Sequence, residues 1–267
     1  MEIKGILFDK DGTLIDFFKV WEPAIRPALQ NMLKGIGVSE RPDLIDTLME
    51  QLGCSNGHID PEGAIAWKSY AGIADDVRNI FECKSIVADI NDIHRLLVSC
   101  FFEEVVEKRT SYPAFTNLPV LMRFLKRKGI CIGLATTDTL ASSRHCLECL
   151  HISDAISFWG TADGNLPEKP DGRLICLAAD YWGIRPEQIA VVGDTPNDMR
   201  FAKNGGAVGI GVLSGTGRLR DLEACADYIL PSVDQLRDWV EIQTQEKYCG
   251  DTASVKSGEE KKCHTSV

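Results

Sequence analysis

The sequence predicts an α/β protein, a Rossmann-like, doubly wound parallel sheet interrupted by a helical insertion. Three observations predict it. Short apolar runs such as residues 189–192 recur without polar alternation, the pattern of strands covered on both faces. Stretches of helical spacing separate these runs in the second half of the chain. The first run stops abruptly at Asp9 and Asp11, followed by Gly12-Thr13. In open α/β sheets, ligands bind at such strand ends.

Taken in order, residues 3–8 form the first strand. The two carboxylates that end it repel each other unless a cation or a shared proton relieves them, which points to a metal. From 17 to 112 no alternating strand stands out. Helices are expected over 20–33, 42–52, about 75–81 and 89–106. Leu44, Ile45, Leu48 and Leu52 recur at helical spacing, as do Ile93, Leu96, Leu97, Cys100 and Phe101. Residues 53–72 read as turn-rich, with Asp60-Pro61-Glu62-Gly63 the clearest loop.

After Pro113 strands and helices alternate. A helix over 118–128 carries Lys126, Arg127 and Lys128 at its end, where they complement the helix dipole, and Gly129 stops it. A strand over 130–135 follows, then a helix through 150 with Asp138 as its expected N-cap. Strands are expected at 156–159, 189–192, 207–212 and 228–230, and helices at 172–183, 197–204, 219–224 and 233–242. The expected division is a core of 1–16 and 113–242, a helical domain of 17–112, and a polar, disordered tail of 243–267.

The 267 residues suffice for one large domain or two smaller ones, and 44% hydrophobic content is enough for a buried core. A net charge of −10 argues against a nucleic-acid surface. No apolar run reaches membrane-spanning length, and the N-terminus enters the first strand directly, so no signal peptide is expected. Cys146 and Cys149 have the gap of a redox or zinc pair, but no second pair stands nearby. They read better as small apolar helix residues kept reduced, which fits a cytoplasmic protein.

Three strand ends and one loop bring chemistry together. The first delivers Asp9 and Asp11, the second Thr136, Thr137 and Asp138, and the third Gly193-Asp194-Thr195-Pro196-Asn197-Asp198. Between the last two lies Lys169, in the loop Pro167-Glu168-Lys169-Pro170. Carboxylates, hydroxyls and one ammonium suit phosphate chemistry with a hard cation such as Mg²⁺.

In this order the four groups resemble the motifs of the haloacid dehalogenase superfamily, in its phosphatase branch. The insertion after the first motif resembles that family's helical cap of the first type. In overall pattern the chain is similar to phosphoglycolate phosphatases. The resemblance implies a Mg²⁺-dependent phosphatase for a small phosphorylated metabolite, phosphoglycolate-like as a first guess, working through an aspartyl-phosphate. Asp9 would be the nucleophile and Asp11 the proton donor and acceptor. Mg²⁺ would sit on Asp9, the Asp11 main-chain carbonyl and Asp194. Thr136 would bind a phosphate oxygen, with Thr137 a rival for that role, and Lys169 would pair with phosphate and nucleophile. Asp198 would ligate a metal-bound water, hold Lys169, or simply favour a helix N-terminus. Gly12 and Thr13 complete the first turn. A phosphomutase on the same scaffold and a non-catalytic binding module are the alternatives. The acid at position 11 argues against carbon–halogen cleavage, and Lys169-Pro170-Asp171-Gly172 departs from the usual Lys-Pro-x-Pro. Lysine at position 10 is read as tolerated, because there the backbone faces the phosphate. Trp21 and Trp67 are expected to pack within the cap rather than stack on a sugar or base, and the basic cap residues Arg26, Arg41, Lys68, Arg78, Lys84 and Arg95 each to be solvated, the alternative being that one or two face the active site and meet a substrate carboxylate or second phosphate.

Overall fold

The computed structural model describes residues 2–243 except 39, 40, 56, 57 and 110. The first strand, β1 (Gly5–Phe8), is fully buried. Ile6 and Phe8 face one hydrophobic cluster and Leu7 the other, so the two-residue period of the strand divides the core between its faces.

The chain then runs through helices α1 (Phe17–Val20), α2 (Glu22–Ile36) and α3 (Pro42–Gln51). Residues 53–72 are more ordered than a turn-rich loop. They hold a small hairpin, β2 (Cys54–Ser55) with β3 (His58–Ile59), and the short helix α4 (Ala64–Trp67). Next, α5 (Tyr70–Cys83) begins five residues before the sequence-based expectation. Ser69 caps it by accepting from Gly72 N, so Gly72 sits inside its first turn. After α6 (Ile90–Phe102) the backbone widens into a single π-turn, Glu103–Glu107.

The remaining elements are α7 (Leu118–Arg127), β4 (Cys131–Ala135), α8 (Leu140–Cys149), β5 (Phe158–Gly160), α9 (Arg173–Trp182), β6 (Ile189–Gly193), α10 (Pro196–Gly205), β7 (Val208–Val212), α11 (Leu219–Glu223), β8 (Tyr228–Leu230) and α12 (236–243). Each lies within a few residues of its expected place. One cap differs. Thr139, not Asp138, is the N-cap of α8, accepting from Ser142 N, because Asp138 turns inward to a buried ammonium. The tail expected at 243–267 lies outside the described residues from 244 onward.

The six long strands form one parallel sheet in the order β5-β4-β1-β6-β7-β8. The chain builds outward from β1 through β4 to β5, then returns to the other side of β1 through β6, β7 and β8. The order therefore reverses at β1, and a crevice opens at the carboxyl ends there. The helices of 17–107 and one face of the sheet share a continuous apolar cluster, while α9 and α10 cover the opposite face. Among the described residues, no helix is long and apolar enough to cross a membrane. All eight described cysteines are free, with Cys146 buried.

Candidate active site

Register places the site. Phe8 pairs with Leu134 on one side and Val192 on the other, so the ends of β1, β4 and β6 lie level. Asp9 continues the ladder by donating its N–H to the Val192 carbonyl at 2.9 Å. Gly12 then turns with φ +85°, and a side chain there would collide with the Asp194 carboxylate. Thr195 and Asp198 form a capping box at the start of α10. That box draws Asp198 back over the strand end.

The Lys169 loop reaches across to these acids. Lys169 Nζ donates to Asp9 Oδ1 at 2.7 Å and to Asp198 Oδ1 at 2.6 Å, with all three residues buried. The other Asp198 oxygen accepts from Thr195 N (3.0 Å) and Thr195 Oγ1 (2.6 Å). Asp194 Oδ2 accepts from Thr216 N at 2.8 Å, and Oδ1 from Thr13 Oγ1 at a long 3.4 Å. Oxygens of Asp9, Asp194 and Asp198 all lie within 4.8 Å of one another.

Burial, opposed by Lys169 and reinforced by Asp198, pushes the Asp9 carboxyl up to about 7. Burial and then the neighbouring Asp9 and Asp198 push Asp194 well above the ordinary carboxylate range. Burial alone would lower Lys169, but Asp198 and Asp9 outweigh it and raise it. A hard cation would relieve this crowding, and the donor set suits one. Both Asp198 oxygens are engaged by protein donors, which leaves Asp9 Oδ2 and the weakly held Asp194 Oδ1 open. All the available donors are oxygens, as Mg²⁺ prefers. Asn197 Oδ1, on the cavity wall, is a further buried oxygen without a protein partner.

Asp11 points elsewhere. Its Oδ1 accepts from the indole N–H of Trp21 at 2.5 Å, and its Oδ2 lies 2.7 Å from Lys10 Nζ. That same ammonium is 3.0 Å from Asp138 Oδ2, which also accepts from Ser142 Oγ at 2.6 Å. Lys10 is therefore fully buried and bridges two acids, where its side chain was expected only to be tolerated. Burial would lower its pKa, yet Asp11 and Asp138 hold it well up. Burial raises Asp11 despite Lys10 and Trp21.

The structure brings Asp9, Asp11, Thr136, Thr137, Lys169 and Asp198 onto one cavity, with Asp194, Gly12 and Thr13 directly behind them. Asp16 caps α1 locally by accepting from Lys19 N, while Asp163 reaches across the chain to accept from Leu140 N at the start of α8. Three participants were missed. Thr216 lies in the Ser214-Gly215-Thr216-Gly217 turn after β7, a strand end with the same signal as the other three. Lys10 sits inside the first motif. Trp21 carries no local signal, because its contact depends on how α1 and α2 fold back. Of the six basic residues expected on the helical insertion's surface, Lys68 alone borders the cavity.

A family model described as haloacid dehalogenase-like hydrolase matches residues 3–206. A phosphoglycolate phosphatase from Shigella boydii is 28% identical over 242 residues, 88% of this chain and 91% of that protein. One from Escherichia coli K12 is 27% identical over the same span. Among solved structures, a predicted phosphoglycolate phosphatase from Haemophilus somnus superposes with TM-score 0.66 at 16% identity, covering 88% of this chain and 97% of that one. A β-phosphoglucomutase from Clostridium difficile does so with TM-score 0.65 at 16% identity, covering 92% and 99%. At these identities the structural likeness bears on the fold.

Proposed function

The chain belongs to the haloacid dehalogenase-like hydrolases, and from that membership we propose that it is a Mg²⁺-dependent phosphatase acting on a small phosphorylated metabolite. The observation that carries the reading is the buried Asp9 carboxylate, held at 2.7 Å by Lys169 beside Asp194 at a strand end. The relatives' names make 2-phosphoglycolate the first natural ester to test.

In this reading Asp9 attacks phosphorus and forms an aspartyl-phosphate while the P–O bond to the leaving group breaks. Asp11 gives its proton to the departing oxygen. Its raised pKa supports that acid role. Water then attacks the phosphoryl group, gives its proton to Asp11, and releases phosphate and free Asp9. Thr136 and Thr137 donate to phosphate oxygens, and Lys169, steadied by Asp198, supplies a fixed positive charge. Asp9, the Asp11 carbonyl and Asp194 would hold Mg²⁺, which when bound neutralises charge between these carboxylates and the phosphoryl oxygens. Trp21 and Lys10 hold the Asp11 carboxylate in place. The division into a core of 1–16 and 113–242 and a cap of 17–112 belongs to the same reading, with the cap excluding water from the site.

Assay of the purified protein on p-nitrophenyl phosphate tests this. Release of phosphate with Mg²⁺, lost on exhaustive chelation and restored by added metal, is expected. Full activity after chelation would remove the metal from the account.

A further inference from the structure

The cavity above Asp9 lies between the strand ends and the helical insertion. Its floor is polar, but its roof is not. The helical insertion contributes Trp21, Ile65, Trp67, Tyr70, Ile73 and Phe101. The rings are locked against one another: Phe101 lies 5.7 Å from both Trp21 and Tyr70, centroid to centroid.

The polar atoms of that roof are nearly all engaged. Trp21 N–H is bound to Asp11, and Trp67 N–H donates to the Glu62 carbonyl at 3.1 Å. Lys68 borders the cavity, and its ammonium is paired with Asp76 Oδ2 at 2.7 Å. Lys68 and Asp76 together border an outer groove, and Asp76 does not border the cavity. The Tyr70 hydroxyl, which is uncharged, is the one roof group among the described residues without a protein partner. The ammonium of the floor, Lys169, is shared between Asp9 and Asp198, and Lys10, which is buried beneath the floor and does not border the cavity, is shared between Asp11 and Asp138. No arginine borders the cavity among the described residues. A second anion on the substrate would therefore meet aromatic faces and acids, with no free cation to receive it.

We propose that the leaving-group side of this cavity takes an uncharged, apolar alcohol group and rejects phosphate esters that carry a second anion. This rests on the phosphatase reading of the same site. It also separates the chain from 2-phosphoglycolate, the substrate in its relatives' names, whose leaving group ends in a carboxylate.

The test compares n-propyl phosphate with 2-phosphoglycolate on the Mg²⁺-loaded full chain, with p-nitrophenyl phosphate as the reference for phosphatase activity. The propyl ester is expected to have a kcat/KM higher by about tenfold or more, with the difference carried mainly by KM. Asp76→Asn should narrow the gap by freeing Lys68 to meet the carboxylate. Equal or better turnover of 2-phosphoglycolate, with all three esters hydrolysed, overturns the inference and leaves the phosphatase reading standing. No turnover of any ester, p-nitrophenyl phosphate included, overturns the phosphatase reading, and the inference falls with it.

Discussion

Asp11 sits between two donors of unlike kind, the indole of Trp21 and the ammonium of Lys10. The indole nitrogen can only donate, so it fixes one carboxylate oxygen without competing for protons, while Lys10 is anchored in turn by Asp138. Removing the indole donor while keeping an aromatic ring isolates this contact. Trp21→Phe should lower kcat on an alkyl phosphate by about tenfold, the worth of one charge-assisted hydrogen bond. Its effect on p-nitrophenyl phosphate should be smaller, because that leaving group needs little protonation. Phenylalanine keeps one ring against Phe17 and Phe101 but leaves part of the indole's space empty, so the melting temperature should fall modestly. Equal losses on both esters would show that Trp21 shapes the cavity rather than serving Asp11. Asp9, Asp194, Thr136 and Lys169 were legible because each ends a strand or sits in a proline-bounded loop. Lys10 was not, since only the fold reveals that its side chain passes beneath the site to Asp138.

At the scale of elements, strands were read more securely than helix ends. A buried parallel strand is a short apolar run with sharp limits, and β6 and β8 matched expectation to within a residue. Helix starts depend on which polar side chain reaches the free backbone N–H groups. At α8 two neighbours competed. Asp138 looked like the cap, but Lys10 claims it, and Thr139 caps instead. Thr139→Ala should therefore cost about 1 kcal/mol of stability, read as a lower midpoint in urea with an unchanged slope. A midpoint within error of the parent would mean that the α8 terminus is held by Asp163 and by Asp138's bond to Thr139 N rather than by this cap. The hairpin within 53–72 was illegible for another reason: two-residue strands are too short to show alternation.

For the whole molecule, the site stores a charge conflict that the fold tolerates. Asp9 has an ordinary value of 3.8 and is pushed up to about 7 in the folded protein by burial. The native state therefore holds more protons than the unfolded chain between those values, and stability falls as pH rises through about 7. Asp194 shifts the same way. A bound cation removes this penalty, so Mg²⁺ should raise the melting temperature more at about pH 8 than at about pH 5. Equal gains at both pH values would mean that the metal does not bind where these acids lie. The α/β class was legible at this scale because buried strands and amphipathic helices alternate along the second half of the chain. The shared packing of the helical insertion and the sheet was not, because one apolar cluster runs through both and no local pattern marks where they meet.

The central claim is that Asp9 carries the phosphoryl group. Asp11→Asn should let Asp9 attack an ester with a good leaving group but leave the intermediate without a base to activate water. Acid-quenched Asp11→Asn protein, incubated with Mg²⁺ and p-nitrophenyl phosphate and digested for mass spectrometry, should carry a phosphoryl adduct on the peptide containing Asp9. The adduct should vanish when Asp9→Asn is added. Release of one equivalent of nitrophenol with no adduct on that peptide, or with the adduct on another residue, would contradict the account.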